Sequence, residues 1–173
     1  VAYTLSRPFS YIVYYFSRAM GENVVKMVPM LGEAFLLALL LAGYLPGYFA
    51  ALPFGLIVLV AGMCLATLWQ LIIGLLAFWF EEVSPFDWII QKLIFIIGGM
   101  FFPIAFFPAW LGRISKASPF AFSAYWPAIT IVDFSFERFA TCLVGQLVYG
   151  MVLAGVAASL YAIAVRKVHV QGG

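Results

Sequence analysis

From Phe54 to Phe80 the chain reads FGLIVLVAGMCLATLWQLIIGLLAFWF, 27 residues without one Asp, Glu, Lys or Arg. At about 1.5 Å per helical residue such a run exceeds the ~30 Å hydrocarbon core of a bilayer. The rest of the chain agrees: 66% of the 173 residues are hydrophobic and 9% are charged. A soluble domain carries about 25% charged residues. The solvent for this chain is therefore lipid. In lipid every backbone N–H and C=O needs a partner within the protein, which leaves helices or a closed barrel. A barrel would alternate apolar and polar residues, and no such alternation is present.

The sequence predicts an all-α, polytopic transmembrane helical bundle in a single domain, 1–173, with spans at about 28–44, 54–80, 88–107 and 139–165. Residues 1–27 form an amphipathic segment, 108–138 short outer-face helices, and 166–173 a tail. Four spans put both ends on one side. Six basic residues fall on that side (Arg7, Arg18, Lys26, Lys92, Arg166, Lys167) and three on the other (Arg113, Lys116, Arg138), which places both termini in the cytoplasm. Pro103, Pro108, Pro119 and Pro127 forbid one long helix between the third and fourth spans, and Trp110, Tyr125 and Trp126 suit the headgroup level. The sequence shows no charged segment, short apolar core and cleavage site of the signal-peptide kind at its start.

The N-terminal segment differs from the spans. Phe9, Ile12, Val13, Phe16 and Met20 fall on one helical stripe, with Ser10, Tyr14, Ser17 and Arg18 opposite. Ser6 and Pro8 suit the start of such a helix, and Gly21 is expected to loosen the chain before the first span. The segment serves either as an interfacial anchor or as a docking element for a cytoplasmic partner.

Polar groups inside the expected spans are few. Glu33 is the one acid well inside a span; it links to a substrate or proton, snorkels, or pairs with Lys26 or Lys92. Gln70 and Gln146 suit hydrogen bonds between helices, or substrate contact. Gly98, Gly99 and the series Gly150, Ala154, Ala158 suit close helix approach. Cys64 and Cys142 lie in apolar runs and read as small buried hydrophobes, not a disulfide. Glu81, Glu82 and Asp87 make an acidic turn without His or Cys nearby, and the single His, His169, is in the tail. The chain has no G-x-x-x-x-G-K-[ST] phosphate loop, no Gly-x-Ser-x-Gly elbow and no H-E-x-x-H site, so no catalytic, metal or cofactor residues are assigned. The net charge of +2 points to no nucleic acid.

Four passages carry a family resemblance: LSRPFSYIVYYFSRAMGENVV, LIIGLLAFWFEEVSPFDWI, GGMFFPIAFFPAWLGRISKASPFAFSAYWPA and AVRKVHVQGG. In this order they resemble the C-terminal two thirds of a permease subunit of ATP-binding-cassette (ABC) exporters of the type-2 kind, in the group that ends in Gln-Gly-Gly. Family subunits have six spans where four are read here. The resemblance implies a paired permease in the bacterial cytoplasmic membrane, homo- or heterodimeric, with ATPase subunits bound below and no cofactor in this chain. It also implies that residues 8–22 couple to the ATPase, with Pro8, Phe9, Phe16, Arg18, Met20 and Glu22 as the coupling residues. The alternatives are a secondary transporter or channel subunit, or a non-catalytic membrane assembly protein.

Overall fold

The computed structural model describes residues 11–43 and 48–171, and all regular elements among them are helical. In chain order they are α1 (Tyr11–Ala42), α2 (Tyr48–Leu76), α3 (Ser84–Ile96), a 3₁₀ turn (Ile104–Phe106), α4 (Ala109–Ala117), α5 (Pro119–Ser123), α6 (Tyr125–Val132) and α7 (Phe136–Gln171). Three are long and apolar enough to cross a membrane, over Ile12–Leu41, Ala51–Leu76 and Phe136–Arg166. The chain thus has the build of an integral membrane protein.

α2 is the axis of the bundle. Val58, Leu65, Leu71 and Leu75 are fully enclosed. α7 runs parallel to α2. Near both starts, the Phe54 ring lies 5.4 Å from Phe136 and 5.2 Å from Phe139. Further along, Gln146 bonds to the Val58 carbonyl, and Leu153 and Ala157 join Leu65, Leu71 and Leu75 in one cluster. α1 runs antiparallel to α2, because Asn23 reaches Thr67 while Leu31 and Phe35 lie beside Leu52 and Leu56. Gly43, at φ +73°, closes α1 by donating its N–H to the Leu39 carbonyl (3.2 Å), a left-handed cap that glycine adopts without Cβ strain.

Two parallel helices joined in sequence require a return path. Residues 77–135 supply it, leaving the end of α2 and delivering the chain to the start of α7. They do so in pieces. α3 has 13 residues, about 20 Å, short of a bilayer core. Pro85 and Asp87 in its first turn favour its start. Beyond α3 the chain folds through the 3₁₀ turn, α4 and α5. α6 then runs antiparallel to α2, with Ile131 against Gly55 and Pro127 against Gly62. Ser135 accepts the Arg138 N–H (3.2 Å) at the first turn of α7, and Arg138 pairs with the Asp133 carboxylate.

Two expectations are corrected. The segment 88–107 is not one helix. Ile97 and Gly98 both donate to the Leu93 carbonyl, Gly99 stands at φ +76°, and Pro103 follows, so the helical ladder closes on itself after Ile96. Nor does Gly21 separate an N-terminal helix from a first span at 28–44: α1 passes unbroken through Gly21 and Pro29. A helical glycine costs only about 1 kcal/mol. A break would also leave several backbone groups unbonded in apolar surroundings.

Candidate functional site

The break after α3 lies against the middle of α2 and forms a groove of about 680 Å³, lined among others by Leu59, Ala66, Ile94, Gly98, Tyr125 and Ala128. Glycine is required where the chain turns. A Cβ on Gly98 would strike the Ile94 carbonyl and stand 3.0 Å from the Phe120 carbonyl. One on Gly99 would lie 2.8 Å from Ile104. The Ile97 carbonyl, freed by the break, accepts the hydroxyl of Ser115, a residue with no exposed surface.

α4 reaches this break with its last carbonyls spoken for. Those of Ser115, Lys116 and Ala117 accept from Ser118 Oγ (2.7 Å), Trp126 Nε1 (2.9 Å) and the Tyr149 hydroxyl. Helix ends leave carbonyls without internal partners, and an apolar environment offers no water to take their place. The polar side chains of 115–149 therefore hold the irregular segment together as a unit. The Trp69 ring stacks on Phe120 at 5.4 Å, which fixes α5 on α2.

Gln146 is the polar centre. It is 3% exposed, and its Nε2 donates to Val58 O (2.8 Å) and Phe122 O (3.1 Å). Both partners are acceptors, which fixes the amide orientation. One side chain so ties α2, α5 and α7. Its Oε1 is buried without a hydrogen-bond partner among the described residues, as is Trp69 Nε1. Of the two intramembrane glutamines, Gln146 thus serves contact between helices, while Gln70 is exposed.

The other expected residues lie apart from the groove. Pro8 and Phe9 lie outside the described residues. Phe16 and Met20 are half-buried on α1, and Arg18 and Glu22 form an exposed pair at 3.0 Å. Glu33 is exposed and makes no ion pair with Lys26 or Lys92. Ala154 and Ala158 are also exposed; Gly150, the first of that small-residue series, is half-buried and approaches Leu65. Cys64 and Cys142 are free thiols. Among the described residues no three His, Cys, Asp or Glu gather to hold a metal.

Three contacts were not read from the sequence. Asn23 Nδ2 donates to Thr67 Oγ1 (3.1 Å), Thr67 donates to Met63 O (2.8 Å), and Met20 Sδ stands 3.5 Å from the same hydroxyl. This polar clasp holds α1 to α2. Ser115 and Tyr149 are the others. Each is a polar residue within apolar surroundings, the signal that singled out Gln146, yet only the fold shows which carbonyl each one meets. The chain matches no family model, no curated protein and no solved structure.

Proposed function

We propose that this chain is a transmembrane permease subunit of an ATP-driven ABC exporter, which forms the substrate pathway as a dimer and couples to separate ATPase subunits. The carrying observation is the interrupted return path: residues 77–135 pass from one end of the bundle to the other through short helices beside an apolar groove. Transport needs a segment that can rearrange without exposing backbone to lipid. Short helices whose ends are bonded by side chains meet that need. The chain carries no phosphate-binding loop, so the energy comes from a partner.

On this reading the polypeptide crosses the bilayer four times, three times by a long helix and once in pieces. Both ends face the cytoplasm of a bacterial inner membrane, in line with the six-to-three distribution of Lys and Arg. The exposed Arg18–Glu22 pair on the first turns of α1 then meets the ATPase, whose closure moves α1 against α2 as a hinge. A secondary carrier is the second reading, because interrupted helices also mark such proteins. Against it, the exposed Glu33 and the exposed Gln70 gather into no relay.

Co-purification with candidate ATPase subunits separates the two. The exporter reading expects a stable complex with ATP hydrolysis, and expects Arg18→Glu to lower that hydrolysis at least tenfold while the protein inserts normally. An isolated chain that moves substrate on an ion gradient overturns it. Topology has its own test. Glu82→Cys and Ser135→Cys are expected to react with an impermeant maleimide from opposite faces of the membrane. Labelling from one face overturns the four-crossing arrangement.

A further inference from the structure

α4 leaves one face of the return segment exposed, and that face is charged along one side. Ser115, with Leu111 and Gly112 beside it, faces inward. At about 100° per residue the outward face splits lengthwise. Arg113 and Lys116 share one edge, and Trp110 and Ile114, 60% and 57% exposed, share the other. Between Asp87 and Asp133 the only charged residues are Lys92, Arg113 and Lys116, so residues 88–132 carry three cations and no acid. Lys92 lies 4.9 Å from the Trp88 ring centre. Arg113 meets only the Ala109 carbonyl of its own helix (3.3 Å), and neither Arg113 nor Lys116 has an ion pair among the described residues.

We infer that this face binds an anionic phospholipid of the surrounding bilayer, with the phosphate held between Arg113 and Lys116 and the acyl chain laid along Trp110 and Ile114. Two unpaired cations on the outside of a membrane bundle need a counter-charge, and lipid phosphates are the anions at hand. The apolar edge beside them selects a lipid over a free phosphate. The backbone of α4 is already fixed by Ser118, Trp126 and Tyr149, so binding needs only side-chain ordering. The bound lipid would brace the segment that closes the groove. The inference needs only a membrane-embedded chain and holds whether or not an ATPase partners it.

The test is native mass spectrometry of the full chain, titrated with phosphatidylglycerol and phosphatidylcholine. The wild type is expected to retain phosphatidylglycerol in preference. Arg113→Gln with Lys116→Gln should reduce that preference about tenfold or more. Lys26→Gln, which removes an exposed cation on α1, should leave it unchanged. Both altered sites are exposed, and helical content by circular dichroism checks that the variants fold. No preference in the wild type, or an undiminished one in the double variant, overturns the site. Excess glycerol phosphate should fail to displace the lipid; displacement would overturn the lipid assignment and mark a simple phosphate site.

Discussion

α1 and α2 are both long apolar helices, with mean hydropathy 2.0 and 2.4 over the spanning parts. Their surroundings differ sharply. A third of the most apolar window of α2 is enclosed by the rest of the chain, and none of that of α1 is. Hydropathy therefore says that each can cross a membrane, but not which one holds the bundle together. α2 does, because the return segment and α7 wrap it. α1 meets it mainly through the Asn23–Thr67 clasp and side chains such as Ile12 and Tyr15, leaving Leu36, Leu40 and Leu41 outside.

The largest effect should come where the wrapping turns on itself. Gly98→Val would drive a side chain into the Ile94 and Phe120 carbonyls, and the bundle should fail to reach its folded state in detergent. Gly155→Val on α7 meets nothing within 4 Å and should fold normally. If both behave alike in thermal unfolding, the close approach at Gly98 does not constrain the fold.

Next come the helices themselves. Leu65→Ala on α2 should cost about 2–4 kcal/mol in reversible SDS unfolding, since a buried leucine leaves a cavity. Leu40→Ala on α1, where the side chain is 81% exposed, should change stability by less than ~0.5 kcal/mol. Equal losses would mean that α1 is packed as tightly as α2.

Gln146→Leu removes two donated bonds together with a buried acceptor that has none, so the net loss should be about 1 kcal/mol. Gln146→Glu keeps the size but adds a buried charge without a cation to meet it, and should cost several-fold more. The smallest effect belongs to the clasp. A double-mutant cycle of Asn23→Ala and Thr67→Val should return a coupling of about 0.6 kcal/mol, the usual value for a hydrogen bond between membrane helices.

Much of the outline could be read before folding. The two runs at 54–80 and 139–165 lie largely within α2 and α7, since uncharged segments of that length in lipid have no other stable form. The prolines at 103, 108, 119 and 127 marked the stretch that could not be one helix, and short helices stand there. Gln146 suits a hydrogen bond between helices or a substrate contact by sequence, and in the fold its amide donates to Val58 O and Phe122 O. The readings that failed share a cause. Gly21 and the pair Gly98–Gly99 look alike as glycines, yet α1 continues through the first and α3 ends before the second. At Gly21 nothing approaches; at Gly98 the Phe120 carbonyl does, from 22 residues along the chain.

The sequence alone determined that the secondary structure is helical and where helices long and apolar enough to cross a membrane are possible, because these follow from the cost of unbonded backbone and of charge in hydrocarbon. Tertiary structure decided the rest. It made α2 the axis, set α7 parallel to it, and so obliged residues 77–135 to return from the end of one to the start of the other. It also chose which polar side chains serve the freed carbonyls. Those choices depend on contacts between residues far apart in the chain, and apolar periodicity carries no record of them.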